Sequence, residues 1–349
     1  MAMTEYGVNA PEAVKLWAKK LSREALAKTY IGAFISESDN ALIQEKTETK
    51  KQAGDRITVT LRMQLSGDGV MGDGTLEGNE ERLATYTDNV VIDQLRHAVR
   101  SKGKMTEQRI PFSIRAEAKD GLTDWWADRF DTSFFNQVCG FTAQSDLRYT
   151  GLNAPTAPTT IIRPTGSTDQ GLGSTNIMTL AYIDAAVAAA KTATPIIRPL
   201  KINGEDMWAM FLHPYQVRDI RTNTNSGQWL DIQKAAMSGG QIKDNPIRTG
   251  MLGVYNGVML YETRRVTQGV HSTSGAAVST VRRAPLVGAQ AAMIAFGQGY
   301  DSTTSADWNE ELFDYKNSLG VEAGFIFGLK KTRYNSADFS TIVVSTYAA

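Results

Sequence analysis

Residues 111–138, PFSIRAEAKDGLTDWWADRFDTSFFNQV, limit the possible folds of this chain more than any other stretch. Ile114, Ala118, Leu122, Trp126, Phe130, Phe134 and Val138 recur at every fourth position, and Trp125 and Phe135 widen that stripe. A period near 3.6 residues is that of a helix with one apolar face. The spacing predicts one long helix from Pro111 to Val138, with Pro111 tolerated in its first turn and Gly140 as its stop. Arg115, Glu117, Lys119, Asp120, Asp124, Asp128 and Asp131 are expected on the solvent side, and Gly121 is the weak point. At 1.5 Å per residue the helix would be roughly 40 Å long. Burying its five large rings at roughly 200 Å² each would contribute on the order of 20 kcal/mol before chain entropy is counted. Leu122, Trp126, Phe130 and Phe134 are the expected core of this face. Such a helix is a spine, and other elements must lie across it.

Upstream, Asn9 with Glu12 three residues on resembles a capping box, and Val14, Trp17, Leu21, Ile31 and Phe34 give a helical stripe on a Lys-rich segment. This predicts an amphipathic arm that packs on its own subunit or on a neighbour. From Asp55 the period changes to two, with Ile57, Val59, Leu61, Met63 and Leu65 alternating against polar residues. That strand runs into SGDGVMGDGTLEGNEER, which is rich in glycine and carboxylates, before a second extended run, LATYTDNVVIDQL, returns. Two long strands around a tip with too little apolar surface for a core predict a protruding hairpin, marginal on its own.

Downstream, Phe141 to Ile177 is rich in Thr, Pro, Gly and Ser and reads as an inserted surface loop. LAYIDAAVAAAKTA predicts a short helix, MWAMFLHP a buried strand followed by a helix from about Tyr215, and GQWLDIQKAAM a further helix ended by Gly239 and Gly240. Asn256-Gly257 between two apolar runs is the strongest hairpin signal in the chain. AAMIAFG, GVEAGFIFGLKK and STIVVSTY are the closing strands.

Lys plus Arg equals Asp plus Glu at 37 each, so charge arguments must be local, and neutrality speaks against a strong nucleic-acid binder. The single cysteine, Cys139, rules out an internal disulfide framework, and its place on the spine's apolar face suits a buried thiol. No window approaches 18 uninterrupted apolar residues, and the N-terminus lacks a secretion signal. His97, His213 and His271 are scattered without a second ligand at metal spacing. GDGVMGDGT has the glycines of a phosphate loop without its Gly-Lys-Ser/Thr end, and Asp68 and Asp73 miss calcium-loop spacing. No catalytic, cofactor or metal site is expected. The tip acids read as a solvated tip or a contact surface.

The order of elements resembles that of tailed-bacteriophage major capsid proteins with the Hong Kong 97 fold. More narrowly, VNAPEAVKLWAKKLSREALAKTYIGAFI, KKQAGDRITVTLRMQLSGDGV, GDGTLEGNEERLATYTDNVVIDQLRHAV and MTEQRIPFSIRAEAKDGLTDWWADRFD resemble the N-four-like podovirus major capsid family. The resemblance is close from Val8 to Gly140; beyond Ile177 it rests on His213-Pro214 and LGVYNGVMLYET. It implies an α+β fold with an N-terminal arm (1–48), an extended loop (49–108), a peripheral domain with the spine helix and the 141–177 insertion (109–195), an axial domain (196–284) and return strands of the peripheral domain (285–349).

The implied function is a shell subunit that assembles in the host cytoplasm into hexamers and pentamers of an icosahedral head around double-stranded DNA. Expected partners are copies of itself, a portal, a separate scaffolding protein, a cement or decoration protein and, by weak contact, packaged DNA; no membrane is involved. The few residues before Val8 imply that scaffolding comes from another chain. Ring contacts between identical subunits pair two different surfaces. On that view Glu77, Glu80 and Glu81, with Arg82 beside them, meet a basic surface next door. Candidates are Arg96, Arg100 and Arg109, or Arg264 and Arg265, and Trp17 on the arm is a further contact. The fold's prototype welds its shell through a lysine on the extended loop; no lysine lies between Arg56 and Lys102 here, so no such cross-link is expected. An encapsulin-like nanocompartment shell is the alternative on the same fold, and an enzyme of unfamiliar type is a distant third.

Overall fold

The computed structural model describes residues 11–46, 54–62, 65, 67–111, 113–166, 168–193, 196–202, 204–223, 251–298 and 306–349. In chain order, α1 (Pro11–Lys28) and a 3-10 turn (Tyr30–Phe34) lead into β1 (Ile35–Ser36), β2 (Ile43–Lys46) and β3 (Arg56–Arg62). Past an exposed loop come β4 (Thr85–Val91), β5 (Asp93–Arg100), α2 (Lys104–Arg109) and the spine α3 (Ile114–Val138). Then follow α4 (Leu147–Thr150), β6 (Ile161–Ile162), α5 (Leu180–Thr192), β7 (Leu200–Ile202), β8 (Glu205–Leu212) and α6 (Pro214–Thr222). The remainder holds β9 (Met251–Tyr255), β10 (Val258–Glu262), β11 (Gln268–Val270), β12 (Ala277–Val287), β13 (Ala292–Phe296), β14 (Ala306–Phe313), β15 (Ser318–Lys331), β16 (Arg333–Tyr334), β17 (Ala337–Asp338) and β18 (Thr341–Tyr347).

Pro111 lies outside the spine rather than in its first turn. The residue before a proline is pushed out of the helical region, and Ile110 is extended at φ −112°, ψ 142°, which separates α2 from α3. Ser113 then occupies the N-cap position. The helix runs through Gly121 without a break. It stops at Gly140, whose φ of 63° is the left-handed conformation of a helix end. The Phe141 N–H reaches back to the Asn136 carbonyl at 2.9 Å, and a Cβ on Gly140 would meet Pro158 at 2.5 Å.

The spine's apolar stripe packs on a six-stranded sheet ordered β1-β2-β13-β15-β14, with β5 also on β15. Leu122, Trp126, Phe130 and Phe134 are buried. Trp126 and Phe130 meet Phe325 edge-on at 4.7 and 5.4 Å, geometry that adds to simple area burial. Farther along, Phe135 meets Phe211 of β8 at 5.4 Å. The spine therefore bridges to an eight-stranded sheet, ordered β6-β18-β12-β8-β10-β9, with β11 on β12 and β7 on β8. A second core under α5 and α6 fills that sheet with Ile183, Val187, Trp208, Met210, Leu286 and Val344.

The arm helix packs on its own spine: Leu21 and Ala25 are buried in the main core, and Lys119 pairs with Glu24 at 2.5 Å. Asp131 is buried rather than on the solvent side. Its two carboxylate oxygens accept the Tyr30 and Ile31 N–H groups at 3.2 and 3.1 Å, the donors a turn start leaves without partners.

Phe141 to Ile177 also departs from the sequence reading, because it is stitched into the body rather than laid on the surface. β6 pairs in parallel with β18, and Asp169 is fully buried. Asp169 accepts from Arg163 Nε at 2.8 Å, Arg283 Nε at 2.8 Å and the Val270 N–H at 3.0 Å. Burial alone would raise its pKa; Arg283, the Val270 N–H and Arg163 outweigh it and hold the carboxyl below the usual range. Polar residues without periodicity are compatible with burial when each polar group has a partner.

The Asn256-Gly257 hairpin forms between β9 and β10, with φ of 47° and 74° at the two turn residues. β12 and β14 are strands the sequence reading passed over. The expected helix at GQWLDIQKAAM and its Gly239-Gly240 terminator lie outside the described residues.

Candidate functional site

The exposed feature built with most evident purpose is the hairpin of β3 and β4. It is a two-stranded sheet in register from Arg56 opposite Val91 to Arg62 opposite Thr85. The returning run that reads as one strand in the sequence is divided at Ile92: β4 stays in the hairpin, while β5 joins β15 in the six-stranded sheet. At the base, Ile57 and Val90 are buried against Met293 and Ala295. Farther out the described residues of the loop are exposed, including Glu77, Glu80, Glu81 and Arg82.

The tip mixes charge with apolar surface. Met71 is 92% exposed, and Leu76 and Leu83 are also open to solvent. Two acids order the backbone between them, since the Gly67 N–H donates to Glu81 at 2.7 Å and the Gly78 N–H to Glu80 at 2.8 Å. Exposed apolar side chains rimmed by carboxylates are a surface suited to docking rather than to chemistry.

The expected basic partners fall into two groups. Arg96 and Arg100 are exposed on β5, the outer strand beside β15, and Arg109 is exposed at the end of α2. Together β5, β15 and β14 form a groove of about 490 Å³ lined by Arg96, Ala98, Arg100, Asn309, Glu311 and Phe313. Gly320 lines its floor, where a Cβ would meet the Phe313 ring at 2.7 Å; farther along β15, a Cβ at Gly324 would meet the Arg96 side chain at 3.1 Å. Arg100 lies 4.3 Å over the Phe313 ring and donates to Ser318, and Arg96 is 3.5 Å from Glu322. Both guanidiniums are thus oriented, and both stay open to solvent.

Arg265 is different. It pairs with Asp128 at 2.5 Å and Asp131 at 3.2 Å within its own subunit, while Arg264 is exposed. Trp17 lies in α1, and its side chain is outside the described residues.

The histidines take structural places. His97 stacks on Trp125 at 4.5 Å. His213 caps α6 by accepting from the Tyr215 N–H, while Gln216 closes the capping box. Burial, then Arg282, lowers its pKa to about 4. His271 Nδ1 accepts from the Thr273 and Ser274 N–H groups in a turn. Cys139 is fully buried, and burial raises its thiol. Among the described residues no cluster of His, Cys, Asp or Glu could hold a metal ion, and no helix is long and apolar enough to cross a membrane.

Sequence reasoning missed Asn153, which is buried at the hairpin's base and contacts β4. It lies in a Thr- and Pro-rich stretch, and a lone Asn there carries no signal.

Known proteins match over the full length. The family described as phage capsid protein matches residues 5–349. The major capsid protein of Pseudomonas phage KPP25 is 26% identical, over 96% of this chain and 94% of that one. The capsid of Ralstonia phage GP4 superposes with a TM-score of 0.76 at 32% identity, covering 100% of this chain and 99% of that chain. The capsid of cyanophage Pam1 gives 0.73 at 19% identity over 100% and 95%, a likeness of fold. These neighbours carry the Hong Kong 97-type capsid fold. With the fold, the protruding hairpin and the full-length match in hand, the chain belongs to the phage capsid protein family.

Proposed function

We propose that the chain is the repeating shell subunit of a tailed-phage head, assembling as hexamers and pentamers into an icosahedral shell around double-stranded DNA. The observation that carries this reading is the end-to-end likeness, at 32% identity, to the capsid of Ralstonia phage GP4. The subunit works by geometry, and the reading contains no catalytic step. In this division the spine and the six-stranded sheet form the peripheral domain. The eight-stranded sheet forms the axial domain and takes in β6 and β18, which the division expected from the sequence places in the peripheral domain's 109–195 and 285–349.

A ring of identical subunits needs two unlike surfaces on each copy. The loop tip with Glu77, Glu80, Glu81 and Arg82 is one such surface. Arg96, Arg100 and Arg109 form the other, with the glycine-floored groove to receive the tip's apolar side chains. Opposite charge would fix register more than it would add affinity. Trp17 on the arm is kept as a further contact. A portal and a separate scaffolding protein complete the assembly, with a cement protein as an added partner. DNA contact is weak and non-specific, in keeping with zero net charge. The shell forms in the host cytoplasm and ends in the virion.

Electron microscopy of the chain expressed alone, and together with neighbouring phage genes, tests this. Closed shells, tubes or capsomer rings are expected. A monodisperse monomer in both preparations contradicts it.

A further inference from the structure

The hairpin leaves the body at Val91, and its direction has to be fixed by something. A two-stranded ribbon attached at one point swings; attached at two, it has a defined angle. Besides the packing of Ile57 and Val90 on Met293 and Ala295, the structure supplies two polar points on β4. At Val91, Asn153 imitates a third strand: the Val91 N–H donates to Asn153 Oδ1 at 3.0 Å, and Asn153 Nδ2 donates to the Val91 carbonyl at 2.7 Å. Asn153 is itself held by the spine, since Gln137 Nε2 donates to its carbonyl at 2.5 Å. Gly328 allows β15 to approach the same carbonyl closely, since a Cβ there would meet the Val91 oxygen at 2.2 Å.

Three residues farther out, Asp88 is 7% exposed and accepts from Lys330 Nζ and, at 2.9 Å, from the Arg333 N–H. Lys330 Nζ also donates to the Asn89 carbonyl at 2.9 Å. At about 3.4 Å per residue the two attachments are roughly 10 Å apart, and Thr85, at the end of the paired strands, is roughly 20 Å from Val91. A small shift at Asp88 is therefore about doubled where the loop begins.

We propose that Asn153 and Asp88 are positioning residues that set the angle at which the hairpin is presented to the neighbouring subunit. Shell geometry then depends on a residue in the 141–177 segment that touches the hairpin only at its base. Its consequence for shells rests on the proposed function; its geometry does not.

Hydrogen exchange on the unassembled full chain reads the latch directly, and electron microscopy of shells made from the same proteins reads its consequence. Asn153→Ala is expected to speed exchange in residues 56–62 and 85–91 about tenfold while β12 and β18 keep wild-type protection. Its shells are expected to vary in diameter where wild-type shells are uniform. Asn153→Asp is nearly isosteric and keeps the acceptor but loses the donor, so exchange between the two is expected; wild-type behaviour would mean that Asn153 acts by shape alone and would overturn the proposal. Should Asn153→Ala be insoluble, Lys330→Met removes the ammonium from the second attachment, leaving only the Arg333 N–H on Asp88, and must speed the same residues. Unchanged hairpin exchange in these variants, or uniform shells despite faster exchange, overturns the proposal. Wild-type protein that forms no shells would count against the shell reading, and the exchange result would still decide the latch.

Discussion

Asp169 and Glu80 are both carboxylates in segments whose composition marks them as loops, and they do opposite work. Asp169 is fully buried, holds two guanidiniums and an N–H, and ties the 141–177 segment to β11 and β12. Glu80 is exposed, and the hydrogen bond it accepts from the Gly78 N–H orders its own turn. Asp131 and Asp88 belong with the first; Glu77 and Glu81 belong with the second. On the proposed function, one residue type holds the subunit together in one place and is kept for contacts between subunits in another. The buried group should matter to folding and the exposed group to assembly.

The body sets the upper limit of that scale. Phe130→Ala removes a buried ring wedged between Phe325 and Phe327 and should cost about 3–5 kcal/mol in denaturant unfolding of the subunit. Asp169→Ala comes next, at about 3 kcal/mol, because Arg283 is left buried beside an empty site. A loss below about 0.5 kcal/mol for Asp169→Ala would erase the distinction between the two groups of acids.

A pH series sharpens it. His213 has a folded pKa of about 4, below its ordinary 6.5, so the fold favours the neutral ring. Its contribution is fully present above pH 6.5 and is lost as pH falls from 6.5 towards 4, on the order of 2 kcal/mol. The loss should be confined to the α6 corner, read by hydrogen exchange, and be absent in His213→Asn, which keeps a cap without a titrating ring.

The exposed group should leave folding untouched. Glu80→Lys with Glu81→Lys should change subunit stability by less than about 0.5 kcal/mol while lowering particle yield and salt tolerance. A folding defect equal to that of Asp169→Ala, or normal yield and salt tolerance, breaks the comparison. The smallest effect is an absence of change: boiled, reduced particles should run as a band at 38.2 kDa, and a ladder of multimers would refute noncovalent assembly.

Much of the scaffold can be read from hydrophobic period alone. The stripe from Ile114 to Val138, the alternation from Ile57 to Leu61 and the Asn256-Gly257 turn each carry a local signal strong enough to name their element. β14 carried one too, since Ala306, Trp308 and Glu310 alternate inward with exposed neighbours. β12 hid its pattern, because a charged residue, Arg283, occupies a buried position there. The 141–177 segment was misread because its burial depends on partners more than a hundred residues away, Val270 and Arg283. Likewise Asp131 looked solvated until the Tyr30 and Ile31 N–H groups arrived from another element. Of the proposed contact surface, the acidic tip and the arginines of β5 were legible as charge. The glycine-floored groove and the Asn153 attachment exist only once three strands and a distant loop are brought together.

Cryo-electron microscopy of assembled shells, at a resolution that places side chains, tests the central claim most directly. The account predicts that the tip acids Glu77, Glu80 and Glu81 of each copy lie beside Arg96, Arg100 or Arg109 of the next, with Asp169 and Asp131 still paired inside their own subunit. A tip that projects freely into solvent, with the β5 groove empty in every ring, would contradict it.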